Sequence, residues 1–356
     1  MVCPAPCALI QSLVRQLLNT HGGALHFRNL PLRTADDYSR FLHALAEGAG
    51  WRPHVDKGLR VLRRVLAKNV ATANDGPPEA PIGLHNEYGL SNHYPSYISF
   101  FCLSAPDKGG ETPIASSLEV HDCLKRKVPE FIEAIKEQGI AFGIHYPVEQ
   151  IVNSMAGNNL YAASAFGPSD GTAVDHLEED EKRRVAEENV RALSAAGGWQ
   201  PGLTTGPHWQ RRGFEAQWQA DGTMLVHQRV PGVRLHPNFQ RPTYFTNLLN
   251  GYMWAEEHGS LDPPHVSKKT TLGGGLPFLQ VPPKIVGEAA DGSEDVVIPG
   301  PWIEAVKAVS KEVAVAVQWQ IGDVLLLDNL AVQHGRNPWQ GDRRLLASLW
   351  DAQKHE

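Results

Sequence analysis

The stretch Ile82-Gly83-Leu84-His85-Asn86-Glu87-Tyr88 places an imidazole and a carboxylate two residues apart. On an extended backbone alternate side chains point the same way, so His85 and Glu87 share a face. Together they can fill two adjacent corners around a divalent metal, and a second imidazole would complete a triad that leaves the opposite positions open. Such a partner lies near the other end of the chain, where the apolar run Val324-Leu325-Leu326-Leu327 leads through Asp328-Asn329-Leu330-Ala331-Val332-Gln333 to His334. If the three belong to one site, the fold must bring two distant segments together. With 16 histidines in the chain a lone His-x-Glu is a common surface pattern, so the context has to support the reading.

Composition narrows the context. The 33 glycines and 26 prolines are too many for a helical bundle and suit short strands joined by turns and long loops. A length of 356 residues allows one large elaborated domain or two smaller ones. The formal net charge of -6 argues against nucleic acid or an anionic membrane as partner and leaves a small-molecule ligand as the expectation. Cys3, Cys7, Cys102 and Cys123 form no Cys-x-x-Cys pair, which suits a reducing compartment, and Cys102 is expected to pack as a small hydrophobe. No stretch approaches the roughly 18 apolar residues of a membrane span or has the layout of a secretory leader, so the default location is cytoplasmic.

Helical spacing is predicted over 8–20 and 34–48, with a strand over 24–30 between them. Residues 51–81 are less periodic and read as an ordered loop, either a cover over something or a plain connection. A strong aromatic and β-branched strand is expected over 96–103, another from Glu111, and two helical segments over 118–138 separated at Pro129. Further strands are predicted over 139–146, over 214–218 and 223–226 as a hairpin at Asp221-Gly222, over 243–247, and over 313–318, 324–327 and 345–350. A charged helix over 180–196 lies within residues 147–212, which read as an insertion on the rim, and a last helix spans 302–313. The expected class is mainly β with flanking helices, a barrel or sandwich rather than a βαβ sheet.

A metal that activates oxygen needs open positions for a reducing cosubstrate and O2. If the cosubstrate is an α-keto acid, its distal carboxylate requires a cation deep in the pocket, and an arginine matches it bidentately. Arg343 and Arg344 follow His334 at the start of an alternating strand, so one of the two should point inward, and Thr112 can add a hydroxyl from a neighbouring strand.

In order, the pieces Leu84-His85-Asn86-Glu87, Phe100-Phe101-Cys102, Gly109-Gly110-Glu111-Thr112-Pro113-Ile114-Ala115, Gly322-Asp323 with Leu327-Asp328-Asn329, and His334-Gly335-Arg336-Asn337-Pro338 with Gly341-Asp342-Arg343-Arg344 resemble the taurine dioxygenase (TauD/TfdA-like) branch of iron(II)/2-oxoglutarate oxygenases, in the style of its clavaminate synthase-like members. The resemblance runs from about residue 60 to 350 and implies a single domain over 1–356 with a double-stranded β-helix (jelly-roll, cupin-like) core. It further implies Fe(2+) on His85, Glu87 and His334, and 2-oxoglutarate on Thr112 and Arg344, the second arginine of the family's pair. The implied reaction converts 2-oxoglutarate and O2 to succinate and CO2 while an unactivated C–H bond of the substrate is oxidised, by hydroxylation or by desaturation or cyclisation.

Two departures bear on the substrate. Glu87 stands where taurine-cleaving members carry Asp, and Ser348 stands four beyond Arg344 where taurine dioxygenase has a sulfonate-binding arginine. Both point from taurine towards an amino-acid-like or secondary-metabolite substrate of biosynthesis, and the retained carboxylate argues against the halogenase variants. Candidate substrate contacts are Asn69, Asn86, Phe245, Asn247 and Arg336, with Arg211 and His208 as further partners for a substrate carboxylate. Two alternatives stay open: a non-catalytic jelly-roll protein binding a metal or ligand, and an oxygenase whose substrate is tethered to a carrier protein. Oligomeric state is open too, a homo-oligomer included.

Overall fold

The computed structural model describes residues 5–73, 77–151, 157–195, 213–268, 279–287 and 295–352. At its centre two sheets face each other. One has seven strands, in the order Ala24–Phe27, Val324–Asp328, Tyr97–Ser104, Arg344–Ala352, Val70–Thr72, Val65–Ala67, with Trp51–Pro53 also paired to Arg344–Ala352. The other has four, in the order Val315–Val317, Thr112–Ser116, Val332–Arg336, Ile82–His85.

The larger sheet is buried on both faces, and strand parity sorts its side chains. Tyr97, Phe101, Val324, Leu326, Leu346 and Trp350 join one cluster with Tyr38, Leu42, Leu45 and Ala46 of the helix Ala35–Ala49. Tyr38 stacks on Phe101 with ring centroids 5.0 Å apart. The alternate residues Ile98, Phe100, Cys102, Leu325, Leu327, Leu345, Ala347 and Leu349 pack inward with Val317, Trp319 and Val332 from the side of the four-stranded sheet. Each such large apolar side chain contributes about 2 kcal/mol on burial. The covering helix begins on a capping box, Thr34 accepting from the Asp37 amide and Asp37 from that of Thr34, and stops at Gly50 in the left-handed region at φ 69. Losing the Thr34 cap would cost ~1 kcal/mol.

A second core lies between a five-stranded sheet and the helices Ser117–Lys127, Pro129–Glu137 and Gly300–Val313, with Phe131, Ile132, Ile144, Val226 and Val306 among its buried members. The protein is thus a mixture of sheets and helices. The predicted hairpin forms, Gly213–Trp218 pairing antiparallel with Met224–Val230, and Cys102 is wholly buried. The helix Leu248–Glu257 was not predicted, because Leu248, Leu249, Trp254 and Ala255 are buried among polar residues without a clear start signal. Within 51–81 the expected loop also holds the short strands at 51–53, 65–67 and 70–72. Among the described residues no helix is long and apolar enough to cross a membrane.

Candidate metal centre and cavity

Strand register brings the two histidines together. His334 is the direct antiparallel partner of His85, and a bulge follows, with Arg336 opposite Ile82. A side chain at Gly335 in that bulge would meet the Ile82 carbonyl at 2.6 Å, so glycine is required there. The two imidazole centroids lie 4.4 Å apart, and Phe100 packs 5.0 Å from His334.

The strand ends at His85, and Glu87 enters from the turn beyond it. Asn329 holds that turn: its side-chain oxygen accepts from the Glu87 amide at 2.8 Å, and its Nδ2 donates to the carbonyls of Glu87 and Pro95 at 2.9 Å each. Glu87 Oε2 then sits 3.5 Å from His334 Nε2 and 3.8 Å from His85 Nε2. The three ligand atoms lie within 4.8 Å of one another.

The donor set fits a divalent metal. His85 Nδ1 is 2.8 Å from the Gly83 carbonyl, an acceptor only, so Nδ1 carries the proton and Nε2 presents its lone pair to the cluster. Burial first, and then the neighbouring His334, push the His85 imidazole down to about 4, which keeps it neutral. Burial alone would raise the Glu87 carboxyl, but Arg63 and the two histidines override it and hold the group well below the usual carboxylate range. One imidazole made neutral, one carboxylate held ionised and a second imidazole alongside are the ligand chemistry expected for such a triad.

These residues line a cavity of about 1290 Å³, its open mouth included, with Thr112, Asn247, Asn250, Arg60, Arg63, Arg336 and Arg343 also on its wall. Thr112 Oγ1 accepts from Trp319 Nε1 at 3.0 Å, which leaves its own proton free to donate.

The paired arginines separate. Arg343 shares the parity of Leu345 and Ala347, lines the cavity, and donates from Nε to the Gly110 carbonyl at 2.9 Å. Arg344, expected to face inward, points out: its side chain is 61% exposed and pairs with Asp342 at 2.9 Å. Burial brings the Arg343 guanidinium down to about 10.

The five substrate candidates also divide. Asn247 lines the cavity, and its side-chain oxygen is buried without a partner among the described residues. Arg336 lines it too, while donating to the carbonyls of Pro77 at 3.0 Å and Ala80 at 2.8 Å. Asn86 does not face it: it is wholly buried, donating to Ser117 Oγ at 3.0 Å and the Asn329 carbonyl at 2.7 Å, and accepting from the Thr246 amide at 3.0 Å. Asn86 stands just past the strand end and is held by these partners on the side away from the cavity. Asn69 donates to the Leu349 carbonyl at 3.0 Å instead of lining the cavity, and Phe245 is buried against Tyr94 and under Arg234. Arg211 and His208 lie outside the described residues.

Sequence reasoning missed Arg60 and Arg63. They lie in the segment 58–63, which lines the cavity and is tied down through its backbone: the Gly58 and Leu59 amides donate to the carbonyls of Ala165 and Ser164 at 3.0 and 2.9 Å, and Tyr146 OH to that of Gly58 at 2.7 Å. The basic content of that segment was legible, but not its direction. No described residue of 147–212 lines the cavity.

The cavity thus gathers two histidines and a carboxylate, with the Thr112 hydroxyl and the Arg343 guanidinium on the same wall. The chain belongs to the taurine catabolism dioxygenase TauD, TfdA family, whose pattern it matches over residues 2–350. It is 29% identical over 328 residues to a clavaminate synthase-like protein of Arabidopsis thaliana, covering 92% of this chain and 81% of that one. It is 24% identical over 329 residues to the dapdiamide synthesis protein DdaC of Enterobacter agglomerans, covering 92% and 82%. Among solved structures it resembles a taurine dioxygenase from Burkholderia xenovorans, at 14% identity and a TM-score of 0.44 over 99% of this chain and 82% of that one. It also resembles an asparagine oxygenase bound to Fe(II), 3-hydroxyasparagine and succinate, at 12% identity and a TM-score of 0.45 over 96% and 79%.

Proposed function

We propose that this oxygenase depends on iron(II) and 2-oxoglutarate and oxidises an unactivated C–H bond of a small, amino-acid-like substrate on a double-stranded β-helix scaffold. The observation that carries the reading is the convergence of His85, Glu87 and His334 with Thr112 and Arg343 on one cavity. His85, Glu87 and His334 would hold the iron. Arg343, in place of its neighbour Arg344, would bind the distal carboxylate of 2-oxoglutarate, with the Thr112 hydroxyl donating beside it. When bound, iron and the keto acid supply the oxidising power, 2-oxoglutarate and O2 giving succinate and CO2 while one oxygen atom is spent on the substrate.

The chain's own residues orient and protect. Ile82, Leu90, Phe100, Phe142, Ile144 and Val281 line the cavity with apolar surface that limits water around the reacting carbon. Asn247 offers a buried acceptor to a substrate N–H. Arg60 supports an acidic function on the substrate: it lines the cavity and has no carboxylate partner among the described residues, and burial lowers its affinity for its proton. A buried cation of this kind gains when a substrate carboxylate arrives.

The test is anaerobic addition of iron(II) and then 2-oxoglutarate to metal-free protein. A weak visible charge-transfer band is expected in the wild type and in Arg344→Ala, and loss of most of it in Arg343→Ala. Stoichiometric iron binding with no band in the wild type would sink the assignment of the keto acid.

A further inference from the structure

Glu87 has two carboxylate oxygens, and only one of them faces the histidines. Oε2 is the oxygen 3.5 Å from His334 Nε2 and 3.8 Å from His85 Nε2. Oε1 is turned away and accepts a hydrogen bond from Arg63 Nη2. Both side chains are nearly enclosed, 13% exposed for Arg63 and 10% for Glu87. On the other side the Glu87 backbone is fastened at its amide and its carbonyl by Asn329. The carboxylate is therefore held from both ends.

We propose that Arg63 is a positioning residue that keeps Glu87 a one-oxygen metal ligand. The proposal rests on the reading above, that His85, Glu87 and His334 hold the metal. An octahedral metal has six positions, and a facial triad must leave three of them open for a chelating keto acid and O2. A glutamate that closed on the metal through both oxygens would take a fourth position and compete with the cosubstrate. Glutamate carries one methylene more than aspartate and swings more freely, so it needs a restraint. Arg63 supplies one by occupying Oε1 with a charge-assisted hydrogen bond in a buried setting, where such bonds are strong. The restraint comes from the cavity-lining segment 58–63, not from the strands that carry the two histidines, so the mode of the ligand is set from outside the strand pair.

The test uses the full-length protein with Mn(II). Bound waters are counted from the broadening of the Mn(II) resonance in 17O-enriched water, and 2-oxoglutarate affinity is measured on the same samples. The wild type is expected to hold three exchangeable waters, the six positions less one from each ligand, and to lose two when 2-oxoglutarate binds. Arg63→Met keeps the stem and removes the donor; it is expected to bind Mn(II) but to hold two waters, with 2-oxoglutarate weakened roughly tenfold. Arg63→Lys, which restores a charged donor, should recover the third water. Three waters in folded Arg63→Met, with unchanged 2-oxoglutarate affinity, would overturn the proposal. So would fewer than three in the wild type, a result that needs no variant. A wild type that binds no Mn(II), or keeps all its waters when 2-oxoglutarate is added, overturns instead the reading of the site on which the proposal stands, and the proposal with it.

Discussion

The floor and the roof of the cavity are built in different ways. The floor is a strand pair: His85 and His334 face each other across one register, and Asn329 and Asn86 stitch the following turns together. Its turns are closed by hydrogen bonds within the protein, whereas His334 Nδ1 is buried with no partner among the described residues. The segment 58–63, here the roof, is a loop fixed through its backbone to residues 158–165; Arg63 is bound to Glu87, and Arg60 lines the cavity with no carboxylate partner among the described residues. A site that separates these tasks can keep its metal chemistry constant while the roof selects what is oxidised.

That division is open to direct attack, the floor first. His334→Ala removes a ligand, and Mn(II) affinity measured by titration calorimetry should fall by more than about a hundredfold, beyond the range seen for residues that only support a ligand. Asn86→Ala removes no cavity contact but leaves the Thr246 amide and the Asn329 carbonyl without their partner; unfolding in urea should show a loss of ~3 kcal/mol. If that variant instead kept its stability and lost only substrate affinity, Asn86 would belong to the substrate after all.

The wall between floor and roof comes next. Arg343→Gln should weaken 2-oxoglutarate by ~2 kcal/mol, roughly thirtyfold in Kd, because a charge-assisted bond is replaced by a neutral one, whereas Arg344→Gln should stay within about threefold. Equal effects of the two would mean that the inward position is shared. The smallest effect is expected at the roof: Arg60→Met should leave 2-oxoglutarate binding intact and raise KM for acidic substrates by about tenfold. It is measured as 2-oxoglutarate consumption stimulated by a set of amino acids and N-acyl amino acids beside the corresponding amides. No difference between acids and amides in the wild type would remove Arg60 from substrate recognition.

Parts of this protein were legible without coordinates. His85-x-Glu87 and His334 stand out because ligation needs particular residue types, and the apolar spacing over 34–48 marks a helix because periodicity is local. The strand Tyr97–Ser104 announced itself by aromatic and β-branched content. The inward arginine was not legible. Leu345 and Leu346 are both apolar because one faces the cavity side and the other lies under the helix Ala35–Ala49, so the strand shows no polar face from which its parity could be read. Asn86 looked like a cavity residue because it stands between His85 and Glu87, yet its hydrogen bonds to Ser117, Asn329 and Thr246 hold it away from the cavity.

By itself, then, the sequence singled out His85, Glu87 and His334 as a candidate triad and most of the strands, since these follow from residue chemistry and short-range periodicity, and its ordered motifs carried the resemblance to the oxygenase family. Only the tertiary structure decided that Arg343 faces in and Arg344 out, that Asn86 is a brace, and that Arg60 and Arg63 line the cavity. Each of those depends on which surface packs against which, and no window along the chain contains that information.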